Sequence, residues 1–186
     1  TTGNHDYKGI TDNKVLYKKL KMPSEYYSFM KKNWVFVFLN TNEIAAYSNV
    51  VGTAKEQELL RIQNQIKVNK EIQGARWNGG VSSRQLQWLD NLLKKSEKKN
   101  RNVLIFCHHP LYPRSQFTAL NNMEILDVIN RYNCVKAIFS GHHHSGAFGY
   151  FDHIPCNTVE GMIETPDKNS FGIVRIYKDR IELEGK

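Results

Sequence analysis

Two short apolar runs each end abruptly in histidine. Val103-Leu104-Ile105-Phe106 leads into Cys107-His108-His109-Pro110, and Val135 to Ser140 (VKAIFS) leads into Gly141-His142-His143-His144. No other feature restricts the fold as much. Short runs rich in β-branched and aromatic residues predict strands, here Val103 to Cys107 and Val135 to Ser140. Between them, roughly Thr118 to Tyr132 predicts a helix with Met123, Leu126, Val128 and Ile129 on its inner side. Upstream, Ser82 to Lys99 predicts another: Ser82 and Gln85 stand at capping-box spacing, and Leu86, Leu89, Leu92 and Leu93 share a face. Further strands are predicted at Trp34 to Leu39, Cys156 to Met162, Phe171 to Tyr177 and Arg180 to Leu183.

That order, strand and helix alternating before a final run of strands, is α/β closing in an antiparallel meander with a turn at Lys178-Asp179. Residues 54–73 predict an inserted helical segment, and 74–81 (GARWNGGV) a Gly-rich loop. No repeat, low-complexity tract or linker divides the chain, so residues 1–186 read as a single domain.

Composition narrows the class. With 40% hydrophobic and 24% charged residues, the chain matches soluble globular proteins. It has no run of about eighteen apolar residues that would span a membrane, and its start lacks a charged-then-apolar leader pattern. The net charge of +8 suits a polyanion. However, lysines such as Lys94, Lys95, Lys98 and Lys99 spread over helical faces without interleaved aromatics, which predicts a solvated basic surface rather than a nucleic-acid footprint. Cys107, Cys134 and Cys156 form no CxxC pair; Cys107 and Cys134, in or beside apolar runs, read as inert buried thiols, in keeping with a reducing, cytoplasmic setting.

The two histidine clusters are joined by a third, Gly3-Asn4-His5-Asp6. Residues directly after strands occupy the edge where open α/β sheets bind ligands, and neutral imidazole is the commonest side-chain ligand for transition metals. One isolated histidine is more often a core or surface residue; three such clusters predict a metal site. His142 and His144, two apart, can converge on adjacent ions. The charges of these donors leave a gap. Asn4, His108, His142 and His144 are neutral donors, whereas two divalent ions bring about four positive charges and call for carboxylates. Asp152, Glu160 and Glu164 do not sit in comparable motifs. Asp6 does, but it follows His5 and is better placed to orient that ring.

Taken in order, GNHD, HHP after a strand and GHHH after the next strand resemble the calcineurin-like metallophosphoesterases. The pattern of that family is D-x-H, G-D-x-x-D, G-N-H-[DE], a lone His and G-H-x-H. The last three elements are present and the first two are absent. WNGGVSSRQLQWLDNLL, CHHPLYP, SGHHHSGAFG and VEGMIETPDKNSFGIVRIY are further similar to the manganese-dependent ADP-ribose/CDP-alcohol diphosphatase branch. Bacterial cyclic-nucleotide phosphodiesterases of the same fold share GNHD, HHP and GHxH and stand as the alternative.

The resemblance implies an α/β/β/α sandwich of the metallo-dependent phosphatase type, here without its N-terminal strands and helices. It implies a hydrolase with two divalent ions (manganese, with iron, zinc or magnesium as alternatives) acting on a small nucleotide or related phosphoester. Asn4, His108 and His142 would hold one ion and His144 the other. Activated water would attack phosphorus in line with the leaving oxygen, with His5 as the acid that assists departure and Asp6 orienting it. Trp77, Asn78 and His109 are expected to line the substrate pocket, with Trp77 stacking and the Gly79-Gly80 backbone donating to phosphate. His143 is expected to point away. The two absent motifs imply that a segment before Thr1 completes the site and that this chain alone is inactive. A degenerate metal-binding scaffold is the non-enzyme alternative, disfavoured by the intact His5.

Overall fold

Val35, Val37 and Leu39 alternate with Trp34, Phe36 and Phe38, so a strand here carries apolar side chains on both faces and needs cover on both. A computed structural model supplies that cover; it describes residues 1–164, 167, 170–178 and 180–185. The strands are β1 (Tyr27–Lys31), β2 (Trp34–Phe38), β3 (Ile44–Ala45), β4 (Gly79–Gly80), β5 (Asn102–Phe106), β6 (Val135–Ser140), β7 (Ala147–Phe151), β8 (Ile154–Thr158), β9 (Gly172–Ile176) and β10 (Ile181–Gly185). The helices are α1 (Asn13–Lys19), α2 (Ala54–Val68), α3 (Ser83–Lys98) and α4 (Asn122–Ile129), with 3-10 turns at Asn4–Tyr7 and Met162–Glu164.

Six strands form one mixed sheet in the order β1-β2-β5-β6-β8-β7. β2, β5, β6 and β8 run parallel, while β1 and β7 are antiparallel edges. On one face Val35, Val37, Val103, Ile105, Val135 and Ile138 pack under Leu89 and Leu93 of α3 and Ile125, Leu126 and Ile129 of α4. On the other, Leu104, Ala137 and Phe139 meet Val174, Ile176 and Ile181 of the separate β9–β10 hairpin. A row of near-parallel rings crosses that second face, from Phe38 to Phe106 at 5.1 Å and from Phe106 to Phe139 at 5.4 Å. The three cysteines are buried and free.

The strands beginning at Trp34, Val103 and Val135 and the helices α3 and α4 stand where the apolar periods put them. Four details differ. Residues 118–121 and 130–132 lie outside α4; at its start the amides of Thr118, Ala119 and Leu120 donate to the carbonyls of Ser115, Pro110 and Gly79, none of them four residues back. Met123 is therefore exposed and Ile125 takes the inward position. The strand expected to end at Met162 ends at Thr158; it joins the main sheet, parallel to β6 on one side and antiparallel to β7 on the other. Gly79-Gly80 pairs with Ile44-Ala45 and is buried, so the backbone expected to meet phosphate is already committed. A Cβ at Gly79 would stand 2.4 Å from the Thr41 carbonyl, and one at Gly80 2.5 Å from Asn121 Oδ1.

The segment 54–73 contains α2, whose Leu59, Ile62 and Ile66 join Ile44, Val50 and Leu120 in a satellite cluster. β1, β3, β4, β7 and α1 went unforeseen, being short or on edges where one face is solvated. Asp179, of the expected Lys178-Asp179 turn, lies outside the described residues, as does the Glu164 side chain. No described helix is long and apolar enough to cross a membrane.

Candidate metal centre

Strand pairing brings the histidine clusters side by side. The β5/β6 ladder continues past both strand ends, with the Cys107 amide donating to Phe139 and the Gly141 amide donating to the His108 carbonyl, each at 3.0 Å. The third cluster docks on the end of β2. Thr1 Oγ1 donates to the Leu39 carbonyl, and Asn42 Nδ2 to the Thr2 carbonyl. Tyr7 Oη, Asn40 Oδ1 and Thr2 Oγ1 form a buried knot beneath the 3-10 turn. The parallel strands β5 and β6 thus deliver two histidine loops to one edge, as the position of their motifs predicts, and the N-terminal cluster docks beside them from the end of β2.

Within that edge, Asn4 Oδ1 and His142 Nδ1 each lie 3.0 Å from His108 Nε2. Gly3 packs flat on the His108 ring, where a Cβ would stand 3.2 Å from Cε1. His142 has φ of 65°. This left-handed conformation typically costs about 1–3 kcal/mol in a non-glycine residue, and a tight turn from the His143 amide to the Gly141 carbonyl at 2.7 Å holds it.

The donor set fits a divalent transition metal. Two donors about 2.1 Å from one ion and at right angles to each other stand about 3.0 Å apart, the spacing found here. A single hydrogen on His108 Nε2 serves two acceptors; a cation would replace it.

Burial, followed by the neighbouring rings of His142, His5 and His144, holds His108 down to about 3. Burial, then His144, His5 and His143, holds His142 down to about 4. Both rings stay neutral with lone pairs to offer. Ligand atoms of His108, His109 and His142 all lie within 4.8 Å of one another.

The remaining predicted residues take different places. His144 is exposed and packs on Gly161, where a Cβ would meet its Cβ and Cγ at 3.0 Å; the Gly161 amide donates to the His144 carbonyl. His5 is exposed on the turn beside Asn4. Asp6 accepts from the Gly3 amide at 2.8 Å, closing that turn, and forms no hydrogen bond with His5.

His109 is fully buried: Nδ1 meets Thr41 Oγ1 at 3.0 Å, and the Nε2 hydrogen is shared between the Trp77 carbonyl and Tyr47 Oη at 3.3 Å each. Asn78 is buried behind His142. Neither Asn78 nor His109 has a polar atom left for a substrate, because each is committed to a neighbour. Trp77 is 48% exposed. His143 stacks on Phe117 at 4.6 Å. Thr41, Tyr47 and Gly161 carry no local signal in the sequence, since their partners are distant along the chain.

Residues 1–146 match the calcineurin-like phosphoesterase family. Among curated proteins, the manganese-dependent ADP-ribose/CDP-alcohol diphosphatase of Bos taurus is 31% identical over 218 residues, covering 100% of this chain and 65% of the bovine protein. That of Oryza sativa subsp. japonica is 31% identical over 204 residues, covering 98% and 63%. A crystal structure of a dimetal phosphatase from Danio rerio superposes with a TM-score of 0.87 at 27% identity, covering 98% of this chain and 67% of that one. The chain spans about 65% of the length of the bovine relative. With three ordered motifs meeting at one sheet edge, the metallophosphoesterase architecture around them and a match over residues 1–146, the chain belongs to the calcineurin-like phosphoesterase family.

Proposed function

We propose that this chain carries the imidazole-rich part of a dinuclear metal site in a hydrolase that cleaves a nucleoside-diphosphate linkage of the ADP-ribose or CDP-alcohol type. The observation that carries the reading is that Asn4 Oδ1 and His142 Nδ1 each stand 3.0 Å from His108 Nε2. These three hold one divalent ion, manganese by likeness to the named relatives, and His144 serves the second. Such ions, when bound, supply Lewis acidity and activation of water near neutral pH.

His5, exposed beside Asn4, faces substrate while Asn4 faces the ion. It protonates the departing oxygen, a contribution typically worth about 10²–10⁴ in rate. Asp6 supports it indirectly, by closing the turn through the Gly3 amide. The half-exposed Trp77 ring offers a stacking surface to a base. The substrate is a small nucleotide, and the buried thiols fit a cytoplasmic enzyme.

Calorimetric titration with MnCl2 tests the ligand set: His108→Gln is expected to weaken binding at least about tenfold. A panel of ADP-ribose, CDP-choline and cyclic AMP on the longest form of the protein tests the substrate. Manganese-dependent cleavage of the first two is expected. Cleavage of cyclic AMP alone would transfer the assignment to a cyclic phosphodiesterase.

A further inference from the structure

Asn78 lies just before β4 with 1% of its surface exposed, and its amide makes three bonds. Nδ2 donates to the carbonyls of Gln73 at 2.8 Å and Gln116 at 2.7 Å, and Oδ1 faces His142 Nε2 at 2.9 Å. Carbonyl oxygens only accept, so the amide has one possible orientation; a flip would aim Oδ1 at two other oxygens. Because Oδ1 also only accepts, Nε2 of His142 must carry the ring hydrogen. A neutral imidazole has just one, so Nδ1 is left with a bare lone pair. That lone pair points at His108 Nε2, 3.0 Å away.

We infer that Asn78 is a positioning residue: anchored by two backbone carbonyls, it locks His142 in the Nε2–H tautomer and so aims the Nδ1 lone pair at His108 Nε2. The opposite tautomer would set a hydrogen among the donors and oppose two lone pairs across the Asn78–His142 contact. Tautomer control by an outer hydrogen-bond partner is a general means of tuning a ligand and is typically worth about 10–100-fold in metal affinity. The tautomer follows from the hydrogen bonds alone. Its consequence for metal affinity rests on the metal-site reading proposed above.

Long-range proton–nitrogen NMR correlation on the metal-free protein near neutral pH reads the tautomer directly. Wild-type His142 is expected to carry its hydrogen on Nε2. Asn78→Leu, which removes the acceptor, is expected to leave His142 exchanging between tautomers and to weaken Mn2+ binding about 10–100-fold by calorimetry. Because that variant also cuts the loop anchors, Asn78→Asp separates the two effects. It loses the same anchors yet keeps an acceptor for His142, and is expected to retain the Nε2–H form.

A wild-type hydrogen on Nδ1 would overturn the inference. So would an Asn78→Leu protein with unchanged tautomer and affinity, or loss of the tautomer in both variants alike. Failure of the diphosphate assignment would leave the NMR result untouched.

Discussion

A glycine and a ring share one space at Gly161. A Cβ there would approach Cβ and Cγ of His144 at 3.0 Å and Cδ2 at 3.1 Å, so one of the two residues must shift. Gly161→Ala is expected to move the His144 ring resonances while those of His108 and His142 stay in place. Equal perturbation of all three, or none, would show that Gly161 does not seat that ring. The histidines themselves were legible in the sequence, since each follows a strand in a short motif. Their supports were not. Asn78 reaches His142 across 64 positions and the Gln116 carbonyl across 38, while Thr41 reaches His109 across 68. No local pattern encodes a partner at that distance. For the same reason Asn78 and His109 looked like pocket residues: a polar side chain in a loop reads as available until its neighbours are known.

At the scale of elements, α3 shows how a local signal is completed from elsewhere. Ser82 Oγ accepts from the Gln85 amide as the capping spacing predicts. The return arm is absent, however, because Gln85 turns its side chain toward Asn40 and Glu43. Glu43, almost fully buried, takes that place by accepting from both Ser82 N and Ser82 Oγ. Lys55, one-third exposed, balances its charge at 3.0 Å. A carboxylate at the first turn of a helix also favours the dipole. Glu43→Ala removes the acceptor of Ser82 N and Ser82 Oγ and leaves Gln85 Nε2 with the Asn40 carbonyl and Lys55 with Glu25; it is expected to cost about 2–4 kcal/mol by denaturant unfolding. A loss below about 0.5 kcal/mol would mean that water replaces the carboxylate freely. This network matters to the site because it ties the loop after β2, on which the Thr1–Asp6 segment rests, to the helix layer.

Across the whole molecule, charge is the decisive quantity. The converging donors are neutral, and two divalent ions would bring about four positive charges into a partly buried edge. The 186-residue chain is therefore expected to bind Mn2+ weakly and to leave a chromogenic phosphodiester intact; sustained manganese-dependent turnover by this chain would overturn that expectation. The sequence by itself determined the α/β order, the strands that carry the site and which imidazoles lie at their ends. All of these follow from short-range periodicity and from motifs read within a few residues. Tertiary structure alone decided that β8 joins the sheet in parallel, that Gly79-Gly80 is buried in a pairing, and that His142 presents Nδ1 rather than Nε2. Each of those depends on hydrogen bonds between segments far apart in the chain, whose geometry exists only once the layers have packed.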